Sequence, residues 1–271
     1  MPRSLLVCAA VFLGAVAVAA TGGPDNEGYS WVDSDETEGP GHVWLDPTGE
    51  TLNIGDEDTG LYELPFDFGF YGTDESEIII SDNATLFFTG DSTASNAACP
   101  TQLSGWSGVA AYWDDLITTT VEVATVGQYP TRMVVVSWEG MHPHNVAGEG
   151  RAQVWLMENT NELALVLDDI DFQDPTYDGG TGAIVGIQET SGTGLSISCS
   201  GGLVSGTTSW FSPPYGRVDD SDIDLTSVDL HFTGASDYDQ IGAALASGDL
   251  NADAQSDLLV GSGDQDAAWL F

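Results

Sequence analysis

The chain has 271 residues, 42% of them hydrophobic, enough for one large or two modest domains with a true core. Four Lys plus Arg against 43 Asp plus Glu give a formal net charge of −39. All four cations are arginines (Arg3, Arg132, Arg151, Arg217). A surface of this sign repels nucleic-acid phosphates and anionic headgroups, so neither is an expected partner.

Residues 1–20 open with Arg3 and continue as an acid-free apolar run from Leu5 to Ala20. Ala17-Val18-Ala19 supplies a small-x-small cleavage pattern, and the segment reads as a secretory signal peptide. The run is short for a spanning helix, which needs about twenty apolar residues. No second such run follows, so export without a membrane span is expected. Residues 21–28, rich in Gly, Pro and acid, are expected to be disordered.

From residue 29 to 205 short apolar runs are punctuated by Gly, Asp, Asn and Pro. Strands are expected at 29–32, 42–45, 51–54, 66–70, 78–81, 86–89, 109–113, 121–126, 133–138, 152–157, 163–167, 183–188 and 195–198. No stretch of helical length keeps a 3.6-residue apolar period. The pattern argues for an all-β fold, a sandwich or barrel, with an antiparallel β-sandwich the expected form. In the clearest hairpin, the turn Glu158-Asn159-Thr160-Asn161-Glu162 joins two apolar strands, and Asn tolerates the positive φ of tight turns. Both faces of 152–157 are largely apolar, which predicts a central strand covered on both sides.

Cys99 and Cys199 remain once the signal is removed, and an even pair in an exported protein favours a disulfide. Two separate buried thiols are the alternative. Cys99 lies in a Gly/Ser/Thr-rich loop over residues 90–108, which such a bridge would pin. Residues 206–224, with Pro213-Pro214 and the acids Asp219, Asp220, Asp222 and Asp224, read as a linker.

The tail carries the motif with the most specific chemistry. Asp249, Asn251, Asp253 and Asp257 stand at positions one, three, five and nine of a short loop, with the Gln255 carbonyl at position seven. Alternating oxygens suit calcium, which takes six to eight oxygen ligands. Val260 stands where an EF-hand needs glutamate. The loop leads instead into the apolar run Leu258-Leu259-Val260, which reads as a buried strand. A solvated acidic turn is the bland alternative.

Other candidate groups carry weaker signals. Asp114-Asp115 at a strand end point to opposite faces and do not flank a glycosidic bond without a bend. His142-Pro143-His144 places two imidazoles on one side of an extended loop but lacks a nearby third ligand. Asp168-Asp169-Ile170-Asp171 reads as an acidic strand end. Asn83-Ala84-Thr85 matches a glycosylation sequon. Trp113, Trp138 and Trp155 read as core, whereas Trp106 and Trp210 fall in expected loops and are candidate recognition platforms. No phosphate loop, nucleophile elbow, zincin motif or dinucleotide fingerprint is present, and lysine is absent.

Two resemblances organise these observations. The phrases 64–72 (LPFDFGFYG), 78–88 (IIISDNATLFF), 110–116 (AAYWDDL), 134–138 (VVVSW) and 183–187 (AIVGI) together resemble a nidogen-like extracellular β domain. One departure is Asp82-Asn83-Ala84, where that family often has Asn-Gly. Residues 233–271, with the lead-in 242–249 and the exit 257–261, resemble an FG-GAP repeat of integrin-alpha-type β-propellers. Ala252 and Ala254 stand where that family usually has glycine, and alanine tolerates left-handed backbone poorly.

The resemblances imply a nidogen-like sandwich at 29–205 and a calcium-binding, partial propeller-type repeat at 225–271. They imply a secreted, non-enzymatic binding or adhesion protein whose partner is an extracellular protein or glycan. The competing readings are a carbohydrate-binding or glycoside-hydrolysing sandwich and a purely structural surface protein. One repeat does not close a propeller. The expectation is therefore a fragment of a longer polypeptide, or a tail that docks on the main domain or another chain.

Overall fold

The computed structural model describes residues 20–37, 39–90, 105–199 and 201–214 in full. It also describes the backbone of strands within 241–270. Contacts divide the chain into Met1–Tyr215 and Gly216–Phe271.

The first unit holds two antiparallel sheets. One has eight strands in the order β1-β2-β14-β11-β10-β9-β8-β3. These are β1 (Thr21–Gly22), β2 (Ser30–Asp33), β3 (Glu50–Leu52), β8 (Leu116–Val126), β9 (Met133–Pro143), β10 (Gly150–Met157), β11 (Leu163–Asp169) and β14 (Thr207–Ser212). The other has six in the order β13-β12-β7-β6-β5-β4. These are β4 (Thr59–Phe70), β5 (Thr73–Ser81), β6 (Thr85–Thr89), β7 (Ser107–Trp113), β12 (Ile184–Gln188) and β13 (Gly194–Ser198). The second unit contains β15 (Ile241–Gly248), β16 (Asp257–Ser262) and β17 (Ala267–Leu270), paired antiparallel.

The main core forms where the inner faces meet. Val134, Val136, Trp138, Val154, Leu156 and Leu165 from the larger sheet join Phe68, Phe70, Ile78, Ile80, Leu86 and Val109 from the smaller. Strand alternation leaves the residues between them facing outward, where two further clusters form. On the smaller sheet Phe87, Trp106, Ala110, Trp113 and Ile184 pack together. On the larger, Val135, Trp155, Ala164 and Val166 do so. This two-sided burial is what the apolar pattern of residues 152–157 predicts: β10 lies inside the eight-stranded sheet, and both its faces are covered.

Three sequence expectations need correction. Residues 206–212 are not linker: β14 pairs with β11 and β2, and its alternation of Thr208, Trp210 and Ser212 with Ser209 and Phe211 is a strand period. Nor are residues 21–28 unstructured. Thr21 and Gly22 pair with β2, and the Asp25 carboxylate accepts the Glu27 and Tyr29 amides at 3.0 and 2.9 Å. Finally, residues 42–45 are not a strand. Pro40 and Pro47 bracket them, and proline cannot complete a ladder. They form a strap that leaves β2 near one edge of the larger sheet and reaches β3 at the other, over the outer face.

The hairpin turn follows its sequence signal, since Asn159 and Asn161 adopt φ of 71° and 54°. Asn161 also reaches across to the smaller sheet, where its Oδ1 accepts the Gly69 amide at 2.9 Å. A Cβ at Gly69 would meet the Asn161 amide nitrogen at 2.7 Å, which explains glycine inside Phe66-Asp67-Phe68-Gly69-Phe70.

Candidate binding face

Cross-strand register arranges the outer face of the larger sheet in rows. Arg151 and Glu139 form a charged row. Next comes a polar row, Thr208, Val166, Gln153, Ser137 and Glu122. Trp210, Ala164, Trp155, Val135 and Ala124 follow, and then Met157, Met133 and Val126. The face thus grades from charged to apolar along the strands.

The strap lies on the polar half. His42 Nδ1 is 3.0 Å from Thr208 Oγ1, and its Nε2 is 3.0 Å from Asp168 Oδ1. Arg151 donates to Asp168 Oδ2 at 2.6 Å and stands 4.6 Å over the Trp44 ring. The Gln153 amide holds Leu45 at both ends: Nε2 donates to the Leu45 carbonyl at 2.6 Å, and Oε1 accepts the Leu45 amide at 3.4 Å. Nε2 also donates to Ser137 Oγ at 2.9 Å, and Oε1 accepts Trp155 Nε1 at 2.9 Å. Gly49 donates to Glu122 Oε1 at 2.6 Å before the chain enters β3. The polar row thus supplies partners to the half-buried strap where it crosses the sheet.

Thr208, His42 and Asp168 share the connectivity of a hydroxyl–imidazole–carboxylate triad. The geometry serves anchoring instead. Thr208 is 0% exposed beneath the strap, and Asp168 is engaged by Arg151.

Beyond the strap the apolar half stays partly open. Val126, Met133 and Met157 floor a groove of about 330 Å³, walled by the turns at 127–132 and 158–162. Its charged side chains are each hydrogen-bonded. Arg132 donates to Glu158 through Nε at 2.8 Å and through NH2 at 2.5 Å, and its amide reaches Oε2 at 3.0 Å. The guanidinium's hydrogen bonds hold the Glu158 carboxyl below the usual carboxylate range. Glu162 accepts Ser212 Oγ at 3.1 Å. Arg132 also lies 5.8 Å from the ring centroid of Tyr129, the most exposed large apolar side chain among the described residues at 79%.

A second feature is a buried acid. Asp82 is 1% exposed at the β5–β6 turn, where Oδ2 accepts the Glu57 amide at 3.1 Å and Oδ1 accepts Ser81 Oγ at 3.3 Å. Burial above all pushes its pKa up to about 6, and the charges of Asp56 and Glu57 add to the shift. The turn is knotted into both sheets. Trp138 Nε1 donates to the Ser81 carbonyl at 2.7 Å, Asn83 Oδ1 accepts the Leu116 amide at 2.6 Å, and Thr118 Oγ1 donates to the Asp82 carbonyl at 2.6 Å.

The remaining sequence candidates fall as follows. Asp249, Asn251, Asp253 and Gln255 lie outside the described residues, as do Cys99 and residues 1–19 of the segment read as a signal peptide; Asp257 opens β16. Cys199 is disulfide-bonded, and its partner lies outside the described residues. Asn83 is 0% exposed, which bars its sequon from glycosylation in the folded chain. Trp106 is not an exposed platform: it is 7% exposed, edge-on to Trp113 at 5.4 Å and Phe87 at 5.7 Å. Trp210 is half-buried on β14 rather than in a loop.

His142 and His144 gain no third ligand, and no cluster of three or more metal-ligating side chains occurs among the described residues. Burial raises the Asp114 carboxyl, but its neighbour Asp115 is exposed in a turn. Sequence reading missed the groove and the Gln153 anchor. A polar residue inside the apolar run 152–157 was the available signal for the anchor.

No helix among the described residues is long and apolar enough to cross a membrane. No curated protein and no solved structure matches the chain. A family model described as NIDO related matches residues 42–210, from the strap's anchoring histidine to the tryptophan of β14. That span covers both sheets' central strands and more than half of the chain, and the chain belongs to the NIDO-related family.

Proposed function

We propose that the chain is an exported, non-enzymatic binding or adhesion protein in which the NIDO-related sandwich presents a recognition face and the tail binds calcium. The observation that carries the binding role is the family match over residues 42–210, a domain type typical of extracellular proteins. Its partner is an extracellular protein or glycan.

The calcium reading rests on the oxygen spacing of Asp249, Asn251, Asp253, Gln255 and Asp257, in a tail similar to an FG-GAP repeat. The pairing of Gly248 with Asp257 supports it, because Asp249, Asn251, Asp253 and Gln255 then fall in the connection of a β15–β16 hairpin and Asp257 at its end. We also assign Cys99 as the partner of Cys199, since the only other cysteine, Cys8, sits in the segment read as a signal. In the chain-entropy model, closing a loop of this length stabilises by about 4–5 kcal/mol.

Calorimetric titration of the signal-free protein with calcium, in high salt to suppress diffuse binding, tests the tail. One saturable site is expected, lost in Asp253→Ala. Identical isotherms for the two proteins would refute the cage.

A hydrolytic reading finds no support in the groove, where Arg132 clamps Glu158 and Glu162 accepts Ser212 Oγ.

A further inference from the structure

We infer that the groove between the β8–β9 and β10–β11 turns seats apolar side chains of a cationic, amphipathic peptide segment. The inference deepens the binding role proposed above and rests on it. Three observations lead there. Met133, Met157 and Val126 are only partly buried, although they are continuous with the cluster around Trp155. A floor of unbranched, polarizable methionines adapts to varied apolar side chains.

The second observation is that the floor, Val126, Met133 and Met157, carries no polar side chain, and Asn159 and Thr160 stand only on the exposed wall. Arg132 is engaged by Glu158, Glu162 by Ser212, and the Trp155 indole by Gln153. Thr131 Oγ1 donates to the Gln128 carbonyl at 3.3 Å. A sugar ring lying on the floor needs several hydrogen-bonding partners to replace water, and the floor's Val126, Met133 and Met157 offer none. A ligand backbone lying on the floor would be equally unsatisfied. Side chains alone fit.

The third is charge. The whole chain carries −39, which favours encounter with cations and disfavours anions. An apolar segment flanked by Lys or Arg meets both conditions. Binding of this kind reads from the apolar floor for specificity and from the acidic surface for rate.

The test uses the full signal-free chain in chelator, so that the fate of the calcium cage does not affect it. Fluorescence anisotropy is measured with three labelled probes: a Leu–Lys amphipathic peptide, its Leu–Glu counterpart, and a Gly/Ser–Lys peptide of equal charge. The Leu–Lys probe is expected to bind, and the other two to bind at least about tenfold more weakly. Met157→Ser and Met133→Ser leave net charge unchanged and are each expected to weaken Leu–Lys binding about tenfold. Leu61→Ser, at an exposed apolar residue on the other sheet, is expected to change nothing. Thermal melts confirm that each variant is folded, and either methionine variant suffices. Equal binding of the two lysine probes would show diffuse charge attraction and overturn the proposal. So would affinity that ignores the methionines, or no binding at all.

Discussion

Replacing Asp82 by Asn makes the sharpest test of how this very acidic fold handles burial. The carboxyl's ordinary value is 3.8, and in the folded chain it stands at about 6. The folded state therefore holds this proton more tightly than the unfolded state. Below the unfolded value both states are protonated and the group is neutral in the balance. Between about 4 and 6 stability falls as pH rises, and above 6 the full penalty applies.

Two pH units at about 1.36 kcal/mol each give an upper figure near 3 kcal/mol, and relaxation of the buried surroundings around the charge brings the expectation to about 2 kcal/mol. Asn keeps an oxygen to accept the Glu57 amide and gives its nitrogen to Ser81 Oγ. The variant is expected to be more stable than the parent by about 2 kcal/mol at pH 7.5, roughly 4–8 °C for a unit of this size. The gain should vanish toward pH 4. Urea melts of both proteins from pH 4 to 8, in high salt, read the difference directly, because slopes from the other carboxylates are common to both. A difference that stays constant across pH would refute burial of the charge as the cause.

Gln153→Leu removes the amide that holds both ends of Leu45 and leaves the Trp155 indole without its acceptor. A loss of about 2–4 kcal/mol is expected, and hydrogen exchange should accelerate at residues 42–46 before the sheets open. Ala84 sits at φ 50° and is fully buried. In Ala84→Gly, relief of left-handed strain and loss of a methyl, each about 1 kcal/mol, oppose one another, and chemical denaturation should show a change within about 1 kcal/mol. Trp138→Phe breaks the bond to the Ser81 carbonyl at 2.7 Å, inside the main core. A loss of about 2 kcal/mol by the same assay is expected.

The strands were legible where one local rule sufficed. Residues 133–138, 152–157 and 163–167 are apolar runs of strand length between turn residues, and they became β9, β10 and β11. Asn159 and Asn161 announced their turn by residue type. The strap was misread because His42-Val43-Trp44-Leu45 looks like a short apolar strand. Its conformation is set by Gln153, more than a hundred positions away, which no local window contains. Trp106 was misjudged for the same reason: the loop composition around it says nothing of the Phe87 and Trp113 edges that enclose it. The linker begins later than composition suggests because residues 207–212 alternate as a strand right up to Pro213-Pro214. Asn83 shows the limit of motifs, since a sequon fits any Asn-x-Thr, and this asparagine caps the Leu116 amide deep in the sandwich.

The grading of the larger sheet's outer face explains why one half is covered by the chain itself and the other is not. A strap without secondary structure brings its own amides and carbonyls, and each must find a partner once water is excluded. Gln153, Thr208, Asp168 and Glu122 provide such partners to the strap's backbone or to His42. The rows containing Trp155 and Met157 do not: the Trp155 indole is committed to Gln153, and Ala164, Val135, Ala124, Met157, Met133 and Val126 carry no such group. Covering those rows with more strap would bury unpaired backbone at about 1–3 kcal/mol per group, more than the apolar contact of a half-buried methionine returns. The open groove is thus the part of the face that only side chains can cover. In a chain of charge −39 those side chains are best delivered by a cationic partner.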